Sequence, residues 1–213
     1  MSNLNRIKQK IKRLKNKLFF NSGNYWNQRY KKGGNSGPGS YGKLAEFKGE
    51  VINSFIKENN INNVVEFGCG DGNQLHLLLI QNYSGFDVSF EAINICKNKF
   101  SEDPTKTFKH LSDYRAEKAE LVLSLDVIFH LVEDNVFEKY MKQLFNAAEK
   151  KVIIYSSNFE DNNTSAHVKH RKFTDWIESN IKGFNLVAVV PNRYPFNGNN
   201  EISSFADFYF YSK

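Results

Sequence analysis

The sequence predicts an α/β fold: a seven-stranded, mostly parallel sheet with crossover helices, closed at its C-terminal end by an antiparallel pair of strands. Three observations carry this expectation. From residue 43 onward, short apolar runs take turns with amphipathic helical patterns, the sign of parallel strands joined by helices. The first run, Val64-Val65-Glu66-Phe67, leads into Gly68-Cys69-Gly70-Asp71-Gly72-Asn73, where glycines at every second position let the chain turn sharply at a strand end. The last two runs, 184–190 and 205–211, enclose a loop with Pro191, Pro195 and Gly198 but no helical pattern, so they are expected to pair antiparallel.

Along the chain, residues 1–20 come first. Leu4, Ile7, Ile11, Leu14 and Leu18 recur at three- and four-residue steps, so the segment reads as a basic amphipathic helix. Its cations Arg6, Lys8, Lys10, Lys12, Arg13, Lys15 and Lys17 account for the whole net charge of +6 and leave the rest nearly neutral. Such a helix packs on its own domain or on a second subunit, or attaches to a partner protein or an anionic membrane surface. Residues 21–42 hold six glycines beside Tyr25, Trp26, Tyr30 and Tyr41, and read either as a lid able to close over a ligand or as a plain linker. The domain proper spans 43–213. It opens with a helix over 43–59 and continues with strands at 64–67, 85–88, 107–110, 121–125 and 151–155. Helices are expected at 74–79 and at 134–149, the latter with Val136, Tyr140, Leu144 and Ala148 on one face. No run approaches the roughly 20 apolar residues of a membrane span and no signal-peptide pattern is present, so the expected location is the cytoplasm, at most peripheral at the inner membrane surface. Cys69 and Cys96 have no metal-ligand spacing and are expected to be reduced thiols.

The glycine loop narrows the cofactor. A dinucleotide fingerprint places its third glycine where Asn73 stands, which argues against a nicotinamide cofactor in this Rossmann-like arrangement. The pattern here is E-x-G-x-G-x-G, from Glu66 through Gly68, Gly70 and Gly72. It resembles motif I of class I S-adenosylmethionine-dependent methyltransferases. The resemblance covers residues 43–213 and implies the class I methyltransferase fold, S-adenosylmethionine as cofactor and S-adenosylhomocysteine as product. It also implies that Glu66 faces the methionine end of the cofactor; otherwise Glu66 caps the loop's own amides. Asp87, beside Val88 at the end of the second strand, lies near the spacing at which a carboxylate reaches ribose hydroxyls. Asp113 matches the family's acid at the adenine amino group, or else simply starts a turn. Leu125 and Asp126, at the end of the fourth strand, complete the cofactor set.

The acceptor side is less sharply written. Ser124-Leu125-Asp126-Val127-Ile128-Phe129-His130 resembles the motif IV region of small methyltransferases and lacks the N/D-P-P-Y signature of enzymes that methylate amines on bases, which argues against nucleic acid as substrate. His130 is either the general base, a role its ordinary pKa near neutrality suits, or a structural histidine. Catechol-type enzymes hold Mg²⁺ with a second acid after the fifth strand. Here Ser157 and Asn158 take that place, so no metal is expected. His170 and Arg171 are candidates to hold a phosphate or carboxylate on the acceptor, and Tyr41, His167, Arg193 and Tyr194 join them as substrate-binding candidates; the alternative is a solvated basic loop. The whole series resembles small bacterial methyltransferases of surface-polysaccharide gene clusters. That resemblance implies O-methylation of a small sugar or a phosphate-type acceptor, phosphoramidate included, on a glycan precursor. Two other readings stay open: a cofactor-binding partner subunit without catalysis, and an RNA methyltransferase.

Overall fold

The computed structural model describes residues 20–161 and 165–213. The helix read in residues 1–20 lies, apart from Phe20, outside the described residues, and so do the subunit, partner and membrane contacts expected of it. Seven strands are described: β1 (Asn63–Phe67), β2 (Asn82–Asp87), β3 (Lys106–His110), β4 (Ala119–Leu125), β5 (Ala148–Ser156), β6 (Asn185–Val190) and β7 (Asp207–Ser212). They join in one sheet of order β3-β2-β1-β4-β5-β7-β6. β1 to β5 run parallel, and β7 lies antiparallel between β5 and β6. The chain steps outward from β1 to β3 and then returns to β4 on the other side of β1. This reversal opens a crevice at the carboxyl ends of β1 and β4, the place where open α/β sheets bind ligands.

Helices cover both faces, which is why the central strands β1 and β4 are buried on both sides over most of their length. On one face α2 (Gly42–Glu58) buries Phe47, Ile52 and Ile56 against Leu121, Leu123, Ile153 and Phe208. On the other, α4 (Asp134–Ala147) buries Phe137, Tyr140, Met141 and Leu144 against Val65, Val122, Val152 and Ile154. The stripe expected on α4 is therefore rotated. Phe137 and Met141 take the core, Val136 is exposed, and Ala148 already opens β5. Flanking these are α3 (Phe90–Lys99) and the short α5 (Phe173–Asn180).

Two segments depart from the sequence reading. No α-helix follows the glycine loop; Gln74–Leu77 makes a single 3₁₀ turn. Nine residues separate Gly72 from Asn82 at the start of β2, too few for a full crossover helix. α2 fills that space instead: its Asn53 donates to the Leu77 carbonyl and accepts from the Leu79 amide, and Gly49 lets Leu77 approach the helix backbone. The second departure is in residues 21–42, where Ser22–Lys31 forms α1. Asn21 caps it by accepting from the Asn24 amide at 2.7 Å, a signal that the neighbouring glycines obscure.

Candidate functional site

A cavity of about 600 Å³ opens at the carboxyl ends of β1, β2 and β4. Its floor is the glycine loop. Gly68 sits at φ +86°, where a Cβ would meet a Val127 methyl at 2.4 Å, so both conformation and space require glycine. Asp87 accepts from the Gly70 amide at 3.0 Å and the Ser89 amide at 2.8 Å, so it fixes the loop as well as facing the cavity. The amide-capping role considered for Glu66 thus falls to Asp87. Glu66 instead accepts the Tyr83 hydroxyl at 2.5 Å. Burial raises both carboxyls, Glu66 to about 7 and Asp87 to about 6. Val88 and Leu125 line the same cavity. Asp113 does not: it is exposed in the turn Leu111–Asp113, and Leu111 and Ser112 present themselves in its place.

A second cavity of about 420 Å³ lies alongside and shares Trp26, Ser36, Asp126 and His130 with the first. It takes Tyr25, Trp26 and Arg29 from α1, Phe129 and His130 from the turn after β4, His167 and His170 from the loop after β5, and Phe205 from the loop before β7. His130 Nδ1–H donates to the His167 carbonyl at 3.0 Å, which fixes the tautomer and leaves the lone pair on Nε2. Desolvation depresses His130 to about 4, with the Arg29 charge adding to the effect. The expected near-neutral base is therefore a weak, uncharged one. Burial also lowers His167, which stacks on Tyr25 at 4.9 Å, and His170, which hydrogen-bonds the Ser157 hydroxyl at 2.6 Å.

A family model described as a methyltransferase domain matches residues 6–189, most of the chain. The chain belongs to this methyltransferase family. Among solved structures, the methyltransferase domain of bacterial CtHen1-CN superposes with a TM-score of 0.62 at 21% identity, covering 80% of this chain and 100% of that one. Magnesium protoporphyrin IX methyltransferase (ChlM) from Synechocystis PCC 6803, with bound SAM, gives 0.63 at 15% identity over 91% and 98%. The N-methyltransferase NodS from Bradyrhizobium japonicum WM9, with S-adenosylhomocysteine, gives 0.61 at 13% over 78% and 84%. No curated protein sequence matches the chain. These likenesses show the fold, and the family makes S-adenosylmethionine the cofactor of this methyltransferase. The first cavity fits it: Asp87 retains lone pairs for hydroxyls, buried Glu66 offers a carboxylate to a cation, and Phe86, Val88, Leu111 and Leu131 supply apolar wall.

Four residues of the methyltransferase expected at the acceptor lie elsewhere. Arg171 is buried, donating to the Leu131 and Val132 carbonyls at 2.6 and 2.9 Å and pairing with Asp134 at 2.8 Å, so its guanidinium pins the loop to the start of α4. Arg193 is an exposed partner of Glu50, and Tyr194 packs beside Phe47 under Lys43; neither lines a cavity described above. Tyr41 donates to Asp71 at 2.7 Å and so braces the glycine loop. Conversely, two cations escaped the sequence reading. Lys48 is fully buried on α2, 2.6 Å from Asp126, whose backbone adopts the left-handed φ of +59°. Its spacing, four residues from both Leu44 and Ile52, already put it on the buried face. Arg29 follows Tyr25 and Trp26 by four and three residues, so one face of α1 carries all three to the second cavity.

Proposed function

We propose that this methyltransferase transfers its methyl group to an oxygen of a small phosphate-type acceptor, phosphate or phosphoramidate, carried on a surface-glycan precursor in the cytoplasm. The observation that carries this reading is Arg29 beside an uncharged His130 in the cavity that adjoins the cofactor. A sugar hydroxyl is barely ionised at neutral pH and calls for a base with a pKa near 7. His130, at about 4, is far weaker. A phosphate-type oxygen is already anionic and calls for a permanent cation, which Arg29 supplies while its Nε–H donates to the Asn35 carbonyl at 2.7 Å.

S-adenosylmethionine, when bound, supplies an electrophilic methyl group on a sulfonium. The chain's own residues do the positioning. Arg29 holds the anion, and the neutral imidazoles of His167 and His170 offer hydrogen bonds without adding charge that would trap it, while His130, whose one N–H is spent on the His167 carbonyl, accepts through Nε2 from an N–H or O–H of the acceptor. Trp26 and Tyr25 supply aromatic wall to the cavity. Lys48 holds Asp126 at the border of the two cavities and offsets a carboxylate that would otherwise repel an anion. Holding the acceptor oxygen in line at about 3 Å from its target is then the main catalytic contribution.

The test offers methyl-labelled S-adenosylmethionine with sugar phosphates, phosphoramidates, neutral sugars and amines. Label on a phosphorus-bound oxygen, seen by ³¹P NMR, is the expected result. Label on carbon-bound oxygen or nitrogen overturns the reading, and cofactor binding without transfer to any acceptor favours the partner-subunit alternative.

A further inference from the structure

Between β6 and β7 the chain forms a loop that ends beside the second cavity, and this loop carries aromatic rings in an unusual position. Phe205 lines the cavity yet is 41% exposed. It stacks on Phe196 with ring centroids 3.7 Å apart, and Phe159 stacks on His170 at 4.5 Å and meets Phe205 edge-on at 5.9 Å. Phe159, Phe196 and Ile202 are each more than a third exposed as well. Partly exposed rings in mutual contact at the rim of a cavity mark a binding surface, because leaving them in water forfeits their burial.

The patch is held ready. Asn197 Oδ1 accepts from the Asn199 amide and the Ser203 hydroxyl, Asn199 Oδ1 accepts from the Glu201 amide, and Asn192 accepts from the Tyr194 amide. These bonds order the loop in advance and reduce the entropy lost on binding. Asn200 also lines the cavity, and among the described residues its carboxamide has no partner, leaving one donor pair and one acceptor for a ligand.

We propose that this rim is a sugar-ring subsite: the Phe205–Phe196 stack receives the C–H face of a pyranose, Asn200 takes its hydroxyls, and the attached phosphate reaches Arg29. A pyranose has the required two-sided chemistry, an apolar face for aromatic rings and hydroxyls around its edge. A single open platform bordered by an amide matches it better than it matches a nucleobase, which asks for a closed slot and directional contacts along its edge. This inference rests on the second cavity being the acceptor site, and it turns a phosphate-type acceptor into a sugar phosphate.

Saturation-transfer NMR tests it with α-D-glucose 1-phosphate, inorganic phosphate and cytidine monophosphate as probes on the full chain. Saturation of the pyranose C–H protons is expected, and Phe205→Ala should weaken glucose 1-phosphate binding at least about fivefold with inorganic phosphate binding unchanged. Phe205→Leu, which keeps an apolar side chain, and S-adenosylmethionine affinity serve as folding controls. Absence of pyranose saturation, saturation of the cytosine protons alone, or equal binding by Phe205→Ala would each overturn the subsite. Because the readout is binding, it stands even where no methyl transfer is found, so failure of the proposed reaction and failure of this subsite are separable.

Discussion

The two cavities are made in different ways. The cofactor side is mostly a product of backbone: strand ends of β1, β2 and β4, a loop whose glycines take positive φ, and carboxylates placed at the last residue of a strand or one before it. The second cavity, the proposed acceptor side, is assembled mostly from side chains of six separated segments: α1, the turn at 36–39, the start of α2, the turn after β4, the loop after β5 and the loop before β7. A site made from backbone geometry leaves a spacing in the sequence. A site made where distant loops meet leaves scattered residues, each of which has an innocent explanation.

That contrast yields predictions of decreasing size. Gly68→Ala should damage the cofactor side alone: a Cβ there meets Val127 at positive φ, a strain of about 2 kcal/mol that lowers S-adenosylmethionine affinity about 30-fold by calorimetry. Unchanged affinity would mean that the backbone does not set that cavity. Arg171→Met should act on stability, because it leaves two buried carbonyls and Asp134 without their partner. A loss of about 3 kcal/mol in denaturant unfolding is expected, with the acceptor Michaelis constant unchanged. A raised constant at normal stability would restore Arg171 to the acceptor.

The pH response separates the cavities by sign. Glu66 and Asp87 titrate above their unfolded values, so their contribution to stability is present below pH 4 and is lost as pH rises through about 6 and 7. Cofactor binding runs the other way. A cation prefers the ionised carboxylates, so S-adenosylmethionine affinity should rise several-fold from pH 6 to 8, and Glu66→Gln should flatten the rise. An equally steep rise in Glu66→Gln would assign it to another group. His130 titrates below its unfolded value, so its contribution is full above pH 6.5 and is lost as pH falls toward about 4. His130→Phe should therefore lose less stability over that interval than the parent protein. The smallest effect is expected for Arg193→Ala: an exposed ion pair with Glu50 contributes little to stability, so neither the unfolding midpoint nor acceptor kinetics should change measurably.

The difference between the cavities also explains what the sequence could disclose. The mostly parallel sheet, its antiparallel end and the cofactor loop follow from the alternation of strand and helix patterns and from glycines whose φ no other residue adopts easily, and both are local properties. Asp87 was legible because its distance from the loop is set by one strand-loop-strand unit. Arg171, Arg193 and Tyr41 were assigned to the acceptor for their chemistry, but which way a loop turns its cation depends on partners such as Asp134, Glu50 and Asp71 from elsewhere in the chain. Arg29 was hidden because its segment reads as glycine-rich, although Asn21 at its start is a helix cap. Lys48 left a trace, a cation on an apolar stripe, whose meaning appears only with Asp126 across the fold.

The most direct test of a backbone-made cofactor cavity beside a side-chain-made anion cavity is the acceptor saturation curve of Arg29→Met, taken with the phosphorylated acceptor that the wild type methylates. The account predicts a Michaelis constant at least about tenfold higher, the loss of one charge-assisted contact, with S-adenosylmethionine affinity within about twofold of wild type. An unchanged Michaelis constant, or a loss confined to cofactor affinity, would contradict it.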